Sequence, residues 1–331
     1  MSRDFRGKSI ILGVPNHFGL PECFRKNLEY LGFKVYLLPY DANAKSQLIW
    51  QDYLIHGAKK IFLNNRVYKA EKLSEIQEVN QLKFIEELGS VDYALVVRPD
   101  LFSRKVLQSI KEKSDFSVGY QWDGMSRFPL ASTRISHFDK FYVFDKEDTK
   151  RFPNTYHTTN FYFDYISQQV DIKQDVFFVG TFMKDRMEML VSLSELLKSF
   201  GLSLNMTVVY GNESKIKPYK NTPIQFRKTG NSFETSMLES MASNILIDVE
   251  NTIHKGLSFR CFEAVGFSKK LITNNRLVKN YDFYDENNIF VVDGSCEVVD
   301  LLYFIKKPYI IHPDIVRTYS FTSWIRSILD R

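Results

Sequence analysis

The stretch Ser243–Asn275, SNILIDVENTIHKGLSFRCFEAVGFSKKLITNN, reads as strand, glycine turn, helix and strand. Ile245 to Val249 is a short apolar run rich in β-branched residues, and Lys255-Gly256-Leu257-Ser258 makes a flexible turn. Phe259 to Val265 has helical spacing, and Lys270 to Thr273 begins the next buried strand. In open parallel sheets, ligands sit outside the carboxyl ends of strands, where helix N-termini offer free N–H groups to anions. The Gly256 to Ser258 turn falls at such a place. Ser258 reads as an N-cap, its oxygen accepting from a first-turn amide and leaving the other N–H groups for a phosphate. Arg260 follows in the first turn, where a cation opposes the helix dipole by about 0.3–1 kcal/mol, so an anionic ligand explains it better than helix stability does. Glu263, a turn deeper, carries a carboxylate able to accept two ribose hydroxyls. The plain alternative is an ordinary βαβ unit with an exposed Arg and Glu.

Outward from this stretch the same alternation recurs. Before it, Ser9 to Val14, Phe33 to Leu38, Tyr93 to Val97, Ser117 to Gln121 and Lys140 to Phe144 read as strands. Helical spacing covers Glu22 to Leu31, Ala44 to His56, Lys69 to Leu88 and Ser103 to Lys113, with Lys60 to Leu63 as a short strand. Periodicity lapses from Phe152 to Asp175, which reads as a linker, and restarts with the strand VFFVGTF ending at Gly180. A helix over Asp185 to Phe200, a strand over Leu204 to Tyr210 and a helix over Ser232 to Ala242 lead back to the opening stretch. Phe290 to Val292, Ser295 to Ile305 and Ile315 to Leu329 then read as strand, helix and terminal helix. The expected fold class is α/β: two doubly wound Rossmann-like domains facing a cleft, over residues 1–160 and 170–315. A segment over 316–331 is expected to cross back to the first.

The second informative stretch is Gly119-Tyr120-Gln121-Trp122-Asp123-Gly124-Met125-Ser126-Arg127-Phe128-Pro129. Asp123 would lie at a strand's carboxyl end, where a base that takes a substrate hydroxyl's proton contributes about 10²–10⁴-fold. It could instead be a nucleophile, or simply close an Asx-turn ahead of Gly124. His17, in the loop after the first strand, is a second base candidate, though a lone loop histidine is more often simply exposed or satisfied by backbone. Tyr120, Trp122 and Arg127 flank Asp123 and are candidates for acceptor binding. Arg98, ending a buried strand with Asp100 close behind, is either an acceptor ligand or half of an internal ion pair. Gly180 would let a diphosphate approach, with Lys184 or Arg186 neutralising charge on the leaving nucleotide. His254 could touch the same phosphate or lie in solvent.

At these residues the chain resembles bacterial GT-B glycosyltransferases, in particular a branch associated with lipopolysaccharide, capsule and exopolysaccharide assembly. The resemblance rests on Lys255-Gly256-Leu257-Ser258-x-Arg260-x-x-Glu263-Ala264-x-Gly266 and Lys269 to Asn274, and extends to the Asp123 stretch, Phe138-Asp139-Lys140 and Phe144-Asp145-x-x-Asp148. It departs from the usual paired-glutamate motif, whose first glutamate is replaced hereabouts by Lys255. What it implies is a sugar-nucleotide donor, with Glu263 on the ribose and the Gly256 to Ser258 amides near the diphosphate. The implied acceptor is a glycan or lipid-linked glycan, which gives a peripheral contact with the inner membrane face.

Composition narrows the alternatives. The chain has 331 residues, 44% hydrophobic and 25% charged, as in globular proteins of two domains. Its 44 basic and 39 acidic residues leave a net charge of +5, too small an excess for a nucleic-acid binder but suited to anionic substrates or an acidic membrane. Cys23, Cys261 and Cys296 are widely spaced and fit a reducing cytoplasm. No signal peptide or spanning helix is read. Neither a phosphate loop, an HExxH, a GxSxG nor a DxD pattern occurs, so no metal and no cofactor beyond the nucleotide-sugar co-substrate is expected. Two further readings share this scaffold: a non-catalytic two-lobed sugar- or nucleotide-binding protein, and a transferase of pyruvyl or phosphoryl groups.

Overall fold

The structure, a computed structural model, describes residues 4–40, 47–62, 67–166, 170–250, 256–292 and 298–330. The chain divides into two compact units, the first comprising Met1–Thr159 and Ile325–Arg331 and the second Asn160–Trp324. Elements of the first are β1 (Ser9–Gly13), α1 (Leu20–Tyr30), β2 (Lys34–Leu37), α2 (Trp50–Phe62), α3 (Tyr68–Glu86), β3 (Tyr93–Val97), α4 (Arg104–Lys113), β4 (Ser117–Gln121), β5 (Lys140–Val143), α5 (Lys146–Arg151) and β6 (Tyr156–His157). Its strands are all parallel, in the order β2-β1-β3-β4-β5-β6. The order reverses between β1 and β3, so the loops after those strands flank the switch point.

Local chemistry explains several of these elements. Ser103 caps α4 by accepting from the Val106 N–H at 3.2 Å, and Val106, Leu107 and Ile110 give that helix its buried stripe. Asp139 pins the start of β4, its Oδ2 accepting from both the N–H and the hydroxyl of Ser117 at 2.7 Å. Gly119 in β4 is required by packing: a Cβ there would lie 2.8 Å from the Phe138 ring and 2.9 Å from that of Phe141.

The second unit contains β7 (Gln174–Thr181), α6 (Lys184–Ser199), β8 (Leu204–Val209), β9 (Gln225–Arg227), α7 (Phe233–Met241), β10 (Ser243–Asp248), α8 (Phe259–Gly266), β11 (Lys270–Thr273), β12 (Ile289–Val291), α9 (Val298–Lys306), α10 (Pro313–Thr318) and α11 (Phe321–Ile328), the last running on into residues of the first unit. Its sheet is again wholly parallel, in the order β12-β11-β10-β7-β8-β9, with the switch between β7 and β10. Neighbouring residues of one strand serve opposite faces. Phe178 and Ile245 pack with Met187, Leu190 and Leu197 of α6, while Phe177 and Leu246 pack with Cys261, Phe262 and Val265 of α8. Helices therefore cover both sides, as the near-continuous apolar strands require.

Three expectations need correction. Lys60 to Leu63 is not a strand, since α2 runs to Phe62; a short apolar run cannot be told from a helix segment by periodicity. The segment from Phe152 to Asp175 is not a bare linker: it holds β6, and Tyr162 makes a parallel bridge to Ser320. That bridge also breaks the expected terminal helix Ile315 to Leu329 into α10 and α11. The Tyr162 N–H donates to the Tyr319 carbonyl at 3.0 Å, and Phe321 N–H donates to the Tyr162 carbonyl at 2.8 Å. Aromatic rings of Phe161, Phe163, Phe321 and Trp324 close over the join.

Candidate functional site

The second unit brings its sequence motif to the carboxyl end of β10, next to the switch point. Asp248 ends that strand, 8% exposed, and accepts the Ser258 hydroxyl at 2.7 Å. Ser258 is the N-cap of α8 and accepts from the Arg260 N–H at 3.1 Å. The turn before it is pinned through its carbonyls: Asn275 Nδ2 donates to Gly256 and Asn160 Nδ2 to Leu257, each at 3.0 Å. Leu257 is buried in the core beneath, so its side chain is an anchor and only its backbone can serve a ligand. Lys255 and His254 lie outside the described residues.

Arg260 and Glu263 differ from their sequence reading. Arg260 Nη1 donates to Glu263 Oε2 at 2.9 Å and contacts Ser240 Oγ, while its guanidinium lies 4.7 Å over the Phe177 ring. An internal pair and a cation–π contact thus account for a cation in the first turn without an anionic ligand. Glu263 is buried rather than displayed, at 4% exposure. Burial pushes its pKa up, with the Arg260 charge and the Ser240 hydroxyl pulling the other way. Ser240 Oγ stands 3.0 Å from the same Oε2.

Near the same switch point, α6 begins directly after β7. Lys184 is exposed in its first turn. Arg186 Nε is buried without a hydrogen-bond partner among the described residues, and burial lowers the arginine's pKa against the attraction of Asp248. Gly180 has a packing reason of its own: a Cβ there would come within 2.9 Å of the Phe178 ring. Asp248 went unremarked in the sequence; its signal was an acid closing a buried strand just before a glycine turn.

In the first unit Arg98 sits at the end of β3 in the left-handed region, φ 57° and ψ 62°, with its side chain 8% exposed. Its Nε and Nη2 donate to the two Asp100 oxygens at 2.7 and 2.8 Å, and its Nη1 donates to Asp123 Oδ2 at 2.6 Å. The guanidinium stacks 3.8 Å over Phe128. The ion-pair alternative for Arg98 is therefore the one the fold adopts, and Asp123 is held by it. Tyr120 is wholly buried and cannot stack on a sugar from there. Trp122 is half-buried, whereas Arg127 and His17 are exposed. The Asp123 loop is fixed from below by Asp148, which accepts the Met125 N–H at 2.8 Å. Sequence reasoning passed over Gln121, fully buried with neither amide atom paired among the described residues.

No protein-family profile matches the sequence, and no curated protein does. Solved structures do match. The ligand-free structure of OtsA aligns over 98% of this chain and 100% of its own at 8% identity, with a TM-score of 0.55. A trehalose-6-phosphate synthase studied for glycosyl transfer with retention aligns over 96% and 97% at 8% identity, with a TM-score of 0.53. The fold is that of the GT-B glycosyltransferases. A chain of the GtfA/B complex matches at 12% identity and a TM-score of 0.41, this protein aligning over 76% of its own length and spanning 59% of that chain.

Proposed function

We propose that this protein is a glycosyltransferase that moves a sugar from a nucleotide-sugar donor to a cell-surface glycan, of the kind assembled into lipopolysaccharide, capsule or exopolysaccharide. The observation that supports it most is Arg186, a cation with an unpartnered Nε, feeling Asp248, at the switch point of a GT-B sheet. A diphosphate bound there would accept from Arg186, from Lys184 and from the first-turn amides of α8 behind Ser258. As the sugar–phosphate bond breaks, these donors would stabilise the charge growing on the leaving nucleoside diphosphate without a metal. In the first unit Asp123 would act as base or nucleophile, with His17 the second candidate base and Trp122 and Arg127 the acceptor contacts. A lipid-linked acceptor would place the protein at the cytoplasmic face of the membrane.

The test is a thermal-shift panel of UDP, GDP, CMP and ADP with chelator present. At 100 times its dissociation constant one nucleotide should add about 2.7 kcal/mol of stability, and Arg186→Met should abolish the gain. No stabilisation by any of the four would sink the reading. One observation favours a second reading, a non-catalytic binding protein: the Asp123 carboxylate is already engaged by Arg98. Asp123→Asn separates them, since a transferase should lose turnover at least 100-fold while nucleotide binding stays intact.

A further inference from the structure

Away from the residues assigned above, the first unit holds a cavity of about 380 Å³ bounded by α3, the start of α4 and the 3-10 segment Pro129–His137. Arg134 lines it. This side chain is 2% exposed, yet its Nε and Nη1 have no hydrogen-bond partner among the described residues. A buried guanidinium without a partner is strongly unfavourable, so the fold tolerates it only if something else supplies the acceptors. The neighbouring charges do not. Asp100 is committed to Arg98, Glu78 pairs with Lys105 at 2.9 Å, and Glu75 pairs with Lys72 at 3.7 Å. Glu71 acts on Arg134 only at longer range, and Arg104 repels it.

The same cavity is also lined by Ser103, Arg104 and Lys105, the cap and first turn of α4. By helix geometry the N–H groups of Arg104 and Lys105 have no acceptor within the helix. Two independent features therefore converge on one space: an uncompensated buried cation and a positively polarised helix start. Glu71 and Glu75 of α3 line the same space, and their carboxylates accept from hydroxyl and other O–H or N–H donors.

We propose that this cavity binds a phosphate group carried on a small hydroxyl-bearing molecule. The phosphate oxygens accept from Arg134, Arg104 and the first-turn amides, and hydroxyls on the carrier donate to Glu71 or Glu75. Burial followed by the charge of Arg104 lowers the Arg134 pKa, the direction that an entering anion would reverse. The site stands whether or not the protein transfers sugar, because none of its residues belongs to the nucleotide site.

Calorimetry and thermal melting with inorganic phosphate and with glycerol 3-phosphate test it, against glycerol and matched sodium chloride. Saturable stabilisation by both phosphates, tighter for glycerol 3-phosphate and absent with the controls, is the expected result. Arg134→Met should melt no lower than the parent without phosphate and bind at least tenfold more weakly. Arg104→Ala, at an exposed position, should fold normally and lose several-fold in affinity. Arg186→Met in the second unit should keep the response, which separates this site from the nucleotide site. Absence of saturable binding, unaltered affinity in Arg104→Ala, or loss of the response in Arg186→Met would each overturn the proposal.

Discussion

Asp92 shows how a single carboxylate ties the amino ends of the neighbouring strands β1 and β3 together. It accepts Lys8 Nζ at 2.7 Å and both the N–H and the hydroxyl of Ser9 at 2.8 Å. Burial resists its ionisation, but the Lys8 charge and the Ser9 donors outweigh that and pull its pKa down to about 2. A carboxyl whose folded pKa lies below the unfolded value of about 3.9 stabilises fully above the latter, and the contribution disappears as pH falls toward 2. The effect is at most about 2.5 kcal/mol. Asp92→Asn should therefore lower the urea midpoint at neutral pH and flatten the acid limb of the stability curve below about pH 4; an unchanged acid limb would refute the assignment. At this scale the sequence was only partly legible. Ser258 was readable as a cap because capping is local. The pairing of Arg260 with Glu263 is local too, three residues along α8, but the groups that enclose the pair were not readable, since Ser240 comes from α7 and Phe177 from β7.

Among elements, most strands and helices of both sheets followed from periodicity, while the short β6, β9 and α5 were not read; one error was a short apolar run taken for a strand, and another fell where a local pattern was overruled by distant backbone. The bridge from Tyr162 is what interrupts the terminal helix; no feature between Ile315 and Leu329 announces a break. Helix α2 exposes large apolar side chains that packing does not explain. Trp50, Tyr53 and Leu54, spaced to share a face, are 69%, 50% and 61% exposed, and Lys69 lies 4.5 Å over the Tyr53 ring. That mixture of apolar, aromatic and basic groups suits an interfacial helix on anionic lipid, in keeping with the membrane-linked acceptor proposed above. None of the described helices is long and apolar enough to cross a bilayer. The double variant Trp50→Ser, Leu54→Ser should melt as the parent does yet lose co-flotation with phosphatidylserine vesicles; equal flotation of the two would dismiss the helix as a membrane contact.

At the level of the whole molecule, two parallel sheets with reversed strand order were legible because each βαβ unit repeats the same alternation. What sequence could not supply was which motif residues would end inside: Tyr120 on β4, Leu257 in the turn before α8 and Glu263 on α8 are all buried against other elements. Phe321 illustrates such a long-range dependence. Fully buried, it packs 5.0 Å from Phe161 and 5.5 Å from Phe163, so the first and last residues of the second unit share one cluster. Phe321→Ala should cost about 3–5 kcal/mol, and hydrogen exchange should show the loss in the second sheet while β1, β3 and β4 keep their protection. Uniform loss across both sheets would contradict it.

The Tyr162–Ser320 bridge has a further consequence for how this chain can diversify. It brings the beginning and the finish of the second unit side by side, so that everything between forms a closed cassette strung between Thr159 and Ile325. Exchange of that cassette for another with the same paired ends would leave the first unit's strands untouched, so one chain could acquire a new ligand preference by recombination at two neighbouring points.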